Sequence, residues 1–211
     1  MVKREQVNLD PGAWALQAID ELEALKRAHQ QYSEVLAVFR VDLSVYQDIA
    51  DTDDRPFWGR TIVRSLLAGI EGLCYRVKHE ALAAAALKNI ELSHAELAML
   101  REESYGLSDK GDAQSSKSKL RTAPNVAFTL RVLARARGGN YELDTNSTGW
   151  QAFKASIRVR DRVTHPKGAG DLEVSKDEIS AAIDAATWFI RQHRTIVVAT
   201  PIPNAAAAPD S

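Results

Sequence analysis

Residues 156–167 read Ser156-Ile157-Arg158-Val159-Arg160-Asp161-Arg162-Val163-Thr164-His165-Pro166-Lys167. Upstream, Trp150, Phe153 and Ile157 recur at helical spacing, so the run continues an amphipathic helix that opens near Thr148-Gly149-Trp150. Pro166 lacks a backbone donor and restricts the residue before it, which ends the helix and turns His165 out of helical geometry. Extending the apolar series from Phe153 and Ile157 lands on Arg160. A guanidinium on the packed side is costly unless paired, so Arg160 calls for a carboxylate, an anion or a protein interface. His165 falls at the helix C-terminus, where the backbone dipole attracts a cation. An imidazole there, close to three arginines spaced two apart, suits proton transfer at a phosphate ester. Plainer roles stay open for both residues: an interhelical salt bridge for Arg160 and simple helix termination for His165.

The sequence on both sides is helical. Gly168-Ala169-Gly170 is a turn, without the preceding strand that a dinucleotide motif needs. Ser175 and Glu178 form a capping box, which opens a last helix carrying Ile179, Ile183, Ala186, Ile190 and Val197. Toward the N-terminus, residues 141–147 read as a loop. Gly138-Gly139 closes a helix that starts at Thr122-Ala123-Pro124 and carries Val126, Leu130 and Val132. Residues 105–117 are polar and aperiodic, and are expected to form a mobile loop. Ser93 and Glu96 form another capping box, for a short helix to about Glu103.

The clearest helix covers residues 57–81. Trp58, Ile62, Leu66, Ile70, Leu73 and Val77 form one stripe, which Val63, Leu67 and Cys74 widen. A stripe this broad marks a helix buried around much of its circumference. It runs on through alanines toward Leu87. Asp51-Thr52-Asp53-Asp54 followed by Pro56 is a break, and Asp10-Pro11 is a helix start. Between them Ala18, Leu22, Leu25 and Tyr32 keep helical spacing. Residues 39–45 alternate like a strand, yet Phe39, Leu43 and Tyr46 also fit a helix, and no partner strand is evident. The expected class is all-α: an antiparallel helical bundle over residues 53–198, a helical extension of additional N-terminal helices over 11–52, a flexible N-terminus over 1–10 and a disordered tail over 199–211.

A chain of 211 residues is long enough to bury a substantial core. No apolar run approaches the roughly 18 residues a membrane span needs, and the N-terminus lacks the apolar stretch of a signal peptide, so a cytoplasmic protein is expected. The single cysteine, Cys74, excludes an internal disulfide and, sitting on an apolar stripe, reads as a buried inert thiol. His29, His79, His94 and His193 show no metal-ligand spacing, so no metal or cofactor is expected. The net charge of −1 hides an uneven distribution: residues 117–167 hold eleven basic and three acidic side chains. Such a block is either a phosphate-binding surface or a solvated helix face.

Arginine, four intervening residues and histidine at a helix end resembles the Arg-x(4–6)-His signature of the HEPN superfamily. Thr164-His165-Pro166-Lys167, with Gly149-Trp150 before it and a capped helix after it, is similar to a bacterial branch of that superfamily. Residues 57–72, including Phe57-Trp58-Gly59-Arg60, Arg64 and Ile70-Glu71-Gly72, resemble the first core helix of that branch. The likeness covers roughly residues 55–197.

It implies a HEPN-like bundle that forms a homodimer with the two motifs facing each other. It also implies a metal-independent endoribonuclease, in which an RNA 2′-hydroxyl attacks the adjacent phosphodiester. Under that resemblance His165 transfers a proton and Arg160 stabilises the phosphorane. Arg158, Arg162 and Lys167 contact the RNA backbone. Asp161 stands where the family commonly has Asn, placed either to orient His165 or to pair with Arg162. Glu71, among apolar neighbours, is placed to pair with a motif arginine. Defence, stress response or a toxin–antitoxin pair, with an antitoxin protein as partner, is the implied setting. The alternative is a non-catalytic HEPN-like module that binds nucleotide, nucleic acid or protein.

Overall fold

The computed structural model describes residues 11–53 and 55–201. The expected flexible stretch 1–10 and most of the expected tail lie outside the described residues. Six α-helices dominate: α1 (Pro11–Thr52), α2 (Pro56–Leu87), α3 (His94–Arg101), α4 (Thr122–Ala136), α5 (Thr148–Thr164) and α6 (Lys176–Ala199). A hairpin of β1 (Glu103–Leu107) and β2 (Ala113–Lys117) follows α3, and a 3-10 turn at Ala169–Leu172 joins α5 to α6. The all-α reading is correct. Among the described residues no helix is long and apolar enough to cross a membrane.

α2 is the axis of the bundle. Its side chains from Ile62 through Leu66, Ile70, Leu73 and Val77 to Ala84 are fully buried. α1, α4, α5 and α6 all pack on it. Contacts fix the directions. Phe39 lies against Gly69 while His29 reaches Glu80, so α1 runs antiparallel to α2. Thr122 meets Glu71 and Arg137 meets Glu80, so α4 runs with α2. Arg160 meets Glu71 and Arg64 meets Val163, so α5 runs against it. Val174 and Ile179 approach Gly59 and His193 meets Glu80, which turns α6 back along α2.

Two expectations need correction. The additional N-terminal helices are one helix of 42 residues, α1. No proline or glycine interrupts residues 13–52, so nothing in the chain breaks the helix before Asp51-Thr52. Leu25, Tyr32, Phe39 and Leu43 of α1 belong to the same apolar core as α2. The loop expected over residues 105–117 is instead the antiparallel hairpin, with Tyr105 opposite Ser115. Its turn is closed by the Ser108 amide on the Asp112 carbonyl at 2.9 Å and by Gly111 at φ 86°, a conformation open to glycine. Both strands are largely exposed, with β2 exposed throughout, so no apolar alternation marks them in the sequence. The hairpin is anchored at its base, where the wholly buried Lys78 of α2 donates to the Glu102 carboxylate at 2.9 Å and to the Met99 carbonyl at 3.3 Å.

The ends of the helices follow the chemistry of their caps. Ser93 and Ser175 each accept from the amide three residues on, and Glu96 and Glu178 accept in return from the serine amides. After α4, Gly138 at φ 80° lets the chain leave the helix, and Gly139 donates back to the Ala134 carbonyl at 2.8 Å.

Close approach of α1 to α2 depends on Gly69, where an added Cβ would stand 2.1 Å from Phe39 Cε2. Gly69→Ala is therefore expected to lower stability by about 1–3 kcal/mol in urea unfolding. Gly72, one turn on, has nothing within 4 Å of such a Cβ. Gly72→Ala should raise stability by about 0.5–1 kcal/mol through helix propensity alone. Equal effects from the two changes would contradict this packing.

Candidate functional site

The site-bearing helix is positioned at both ends. At its start Ser147 Oγ accepts from the Trp150 amide, and Gly149 leaves room for the Trp188 ring, which would otherwise meet a Cβ at 2.2 Å. Trp150, Phe153 and Trp188 then pack together with ring centroids 5.6 Å apart in each pair, Phe153 stacked on Trp188 and Trp150 tilted against both, which holds α5 on α6. At its far end Arg64 of α2 donates to the Val163 carbonyl and Arg162 pairs with Glu178 at the start of α6 at 2.8 Å. Arg60 reaches the Leu172 carbonyl at 3.2 Å, and Asp171 accepts from the Lys167 amide at 2.7 Å. Basic side chains from α2 and α5 thus gather where α5 ends.

The buried stripe of α5 is Trp150, Phe153, Ser156, Val159 and Val163. Arg160 lies at its edge and not within it, with 23% of the side chain exposed. The expected carboxylate partner is Glu71, whose Oε1 accepts from Arg160 Nη1 at 3.0 Å. Thr122 Oγ1 donates to the same Glu71 oxygen at 3.0 Å and accepts from Arg160 Nη2 at 3.3 Å. One guanidinium therefore joins α2, α4 and α5. Thr122, a helix-start residue in the sequence, carried no signal of this role. Asp161 pairs neither with Arg162 nor with His165. Its Oδ1 accepts from Arg160 Nε at 2.9 Å. Arg162 pairs instead with Glu178.

His165 caps α5. Its amide donates to the Asp161 carbonyl at 3.0 Å, and its φ of −126° and ψ of 60° leave the helix, as the following proline requires. The residue is exposed, and its ring makes no hydrogen bond or ion pair with any described residue. Arg158 and the Lys167 side chain are likewise exposed and unpaired among the described residues. The structure thus places Arg160 with Glu71 and Asp161, and leaves His165, Arg158 and Lys167 facing solvent at or near the same helix end. A cleft adjoins Glu71 and Thr122, lined also by Tyr75, Lys119 and Asn125. The Asn125 Oδ1 atom is buried there without a hydrogen-bond partner among the described residues. A second cleft at the opposite end of α5 is lined by Glu142, Asp144 and Asp184 around Arg191, a poor electrostatic match for a polyanion.

Cys74 is buried and donates to Thr129 Oγ1 at 3.5 Å. Burial raises its thiol pKa to about 11, consistent with an inert role. The histidines hold the larger surprise. His29 of α1 and His193 of α6, 164 positions apart in the chain, both face the carboxylate of Glu80 on α2. Each sits on an apolar stripe, between Leu25 and Tyr32, Val77 and Ala84, and Phe189 and Ile196 respectively. A polar residue on such a stripe was the available signal. Burial acts to raise the Glu80 pKa, but the hydrogen bond from His193 and the nearby ring of His29 outweigh it and hold the carboxyl at about 2.

Compared with protein-family models, with curated proteins and with solved structures, the chain matches none.

The two arginine networks differ in burial, and this separates structure from function. Arg137 is 4% exposed and donates to Glu80 at 2.8 Å, whereas Arg160 and Glu71 are partly solvated. Arg137→Ala removes the guanidinium that pairs with a buried carboxylate and should cost about 3–5 kcal/mol. Arg160→Ala should cost less than about 1 kcal/mol. Thermal and urea unfolding of the two variants would check the contrast.

Proposed function

We propose that this chain is a metal-independent endoribonuclease of HEPN type, working with Arg160 and His165. The observation that carries the proposal is a positioned arginine and an uncommitted imidazole, both borne by the C-terminal part of one helix. Arg160 is oriented from three helices at little cost to stability, while His165 is committed to nothing else. Arg158, Lys167 and Arg64 add positive charge around them, suited to a phosphate backbone. The cleft beside Glu71, with exposed Tyr75 and Lys119 on its lining, is suited to a base or sugar next to the bound phosphate.

In the proposed reaction the 2′-hydroxyl of RNA attacks the adjacent phosphorus and the bond to the 5′ oxygen breaks. The products are a 2′,3′-cyclic phosphate and a 5′-hydroxyl, so one proton leaves the 2′ oxygen and one arrives at the 5′ oxygen. His165 moves one of these protons. Arg160 stabilises the charge that builds on the phosphorane oxygens, and it gains that role when phosphate displaces the 60% exposed Asp161 from its Nε. A homodimer would bring a second His165 to the same phosphate and supply the other proton transfer. An antitoxin, in this reading, is a protein that covers this basic end.

One observation favours a non-catalytic reading. Two carboxylates, Glu71 and Asp161, already hold Arg160, and both oppose a phosphate placed between them. On that reading the surface binds RNA or nucleotide without cutting it.

Cleavage of a mixed-sequence RNA in the presence of EDTA, with cyclic-phosphate ends, is the expected result for the wild type. His165→Ala and Arg160→Ala should each reduce the rate by about 100-fold or more while the circular dichroism spectrum is unchanged. Cleavage that persists in both variants would remove these residues from the mechanism. Salt-dependent RNA binding with no cleavage would favour the binding module instead.

A further inference from the structure

We propose that His29, Glu80 and His193 form a binding site for a divalent transition metal of the zinc class, which clamps α1 to α2 and α6. The site lies in the core, apart from Arg160 and His165, and the inference does not rest on the ribonuclease reading.

The three residues come from three helices and converge on one point. His193 Nε2 stands 3.0 Å from Glu80 Oε2, and His29 Nδ1 stands 3.4 Å from Glu80 Oε1. One ligand atom from each residue lies within 4.8 Å of the other two. Ligand atoms around a tetrahedral zinc ion, with bonds of about 2.0–2.1 Å, are about 3.3 Å apart. Closing the widest separation takes a shift of roughly an ångström or more, and His29 has the freedom to make it, since 36% of its side chain is exposed.

Two polar atoms here are unexplained by the protein alone. His29 Nδ1 is buried and too far from Glu80 for a good hydrogen bond, and the hydroxyl of Tyr32, a residue only 2% exposed, is also without a partner among the described residues. The Tyr32 ring lies against His193, tilted by 30° with ring centroids 3.8 Å apart, so it packs against one of the proposed ligands. A metal ion would take the lone pair of His29 Nδ1 and complete its coordination with water on the exposed side of that ring.

The opposing term is Arg137, whose Nη1 donates to Glu80 Oε1 at 2.8 Å. Its other nitrogens are tied to the Thr200 carbonyl and hydroxyl at 2.9 and 3.0 Å, so it is held in place. It leaves Oε2 for the ion and orients the carboxylate from the second oxygen. Its charge also cancels that of Glu80, which argues for a metal-bound hydroxide or other anion at the remaining position. Two imidazoles select zinc, cobalt, nickel or copper, whereas magnesium and calcium prefer all-oxygen shells.

The test is a titration of the full chain, freed of metal by chelator and dialysis, with zinc sulfate by calorimetry and with cobalt(II) by visible absorption. One zinc per chain, tetrahedral cobalt bands and a thermal midpoint that rises with zinc are expected. His29→Ala, at the partly exposed ligand, and the near-isosteric Glu80→Gln should each weaken zinc binding at least tenfold. Two variants are used so that one folding failure leaves the other. Absence of saturable binding at micromolar zinc would overturn the proposal, as would binding unchanged in both variants, or magnesium binding in place of zinc.

Discussion

A helix that buries apolar side chains around most of its circumference is stable only once other helices surround it, because its own exposed state costs too much. α2 is such a helix, and the rest of the fold is arranged to cover it. α1 lies along one side, made possible by the missing side chain at Gly69. α4, α5 and α6 close the others. The polar residues that α2 carries into this environment, Lys78 and Glu80, are each met by a partner from a covering element: Glu102 for one, and Arg137, His193 and His29 for the other. Buried charge therefore specifies which helices assemble on α2 and at what register, in the sense that an alternative alignment leaves a charge unpaired.

The Arg160 network obeys a different economy. Its partners are partly solvated and its bonds tie helices that are already locked by Trp150, Phe153 and Trp188. Stability gives little reason for an arginine at this edge. The same holds for His165, exposed and with no hydrogen-bond or ion-pair partner for its ring among the described residues. Residues that a fold does not need, gathered with unpaired cations at one helix end, are where chemistry has room to act.

Much of this arrangement was legible in the sequence because helix periodicity is a strong signal over long segments. The wide stripe from Trp58 to Val77 announced the central helix, and the capping boxes at Ser93 and Ser175 marked two starts correctly. Even the Arg160–Glu71 pair followed from helix facing. Other features left no local trace. The hairpin has exposed polar strands, so neither face alternates. The choice of Arg160 over Arg162 as the partner of Asp161 leaves no mark in the local sequence. His29, Glu80 and His193 lie on three helices far apart in the chain, and a spacing rule that looks for neighbouring ligands passes over them. The phase of α5 was off by a fraction of a turn, since Ser156 and Val159 belong to the buried face beside Phe153, and Arg160 falls at the boundary.

The ties from Arg137 to Thr200 have a consequence for how the chain reaches this state. Synthesis is vectorial, so Glu80 and Arg137 emerge long before the residue that completes their coordination. Until α6 docks, His193 and the Thr200 carbonyl are absent, and the paired charges sit at a surface still open to water. Burial of the Glu80 carboxylate is complete only when the last helix is in place, so the two ends of the described chain share one buried charge.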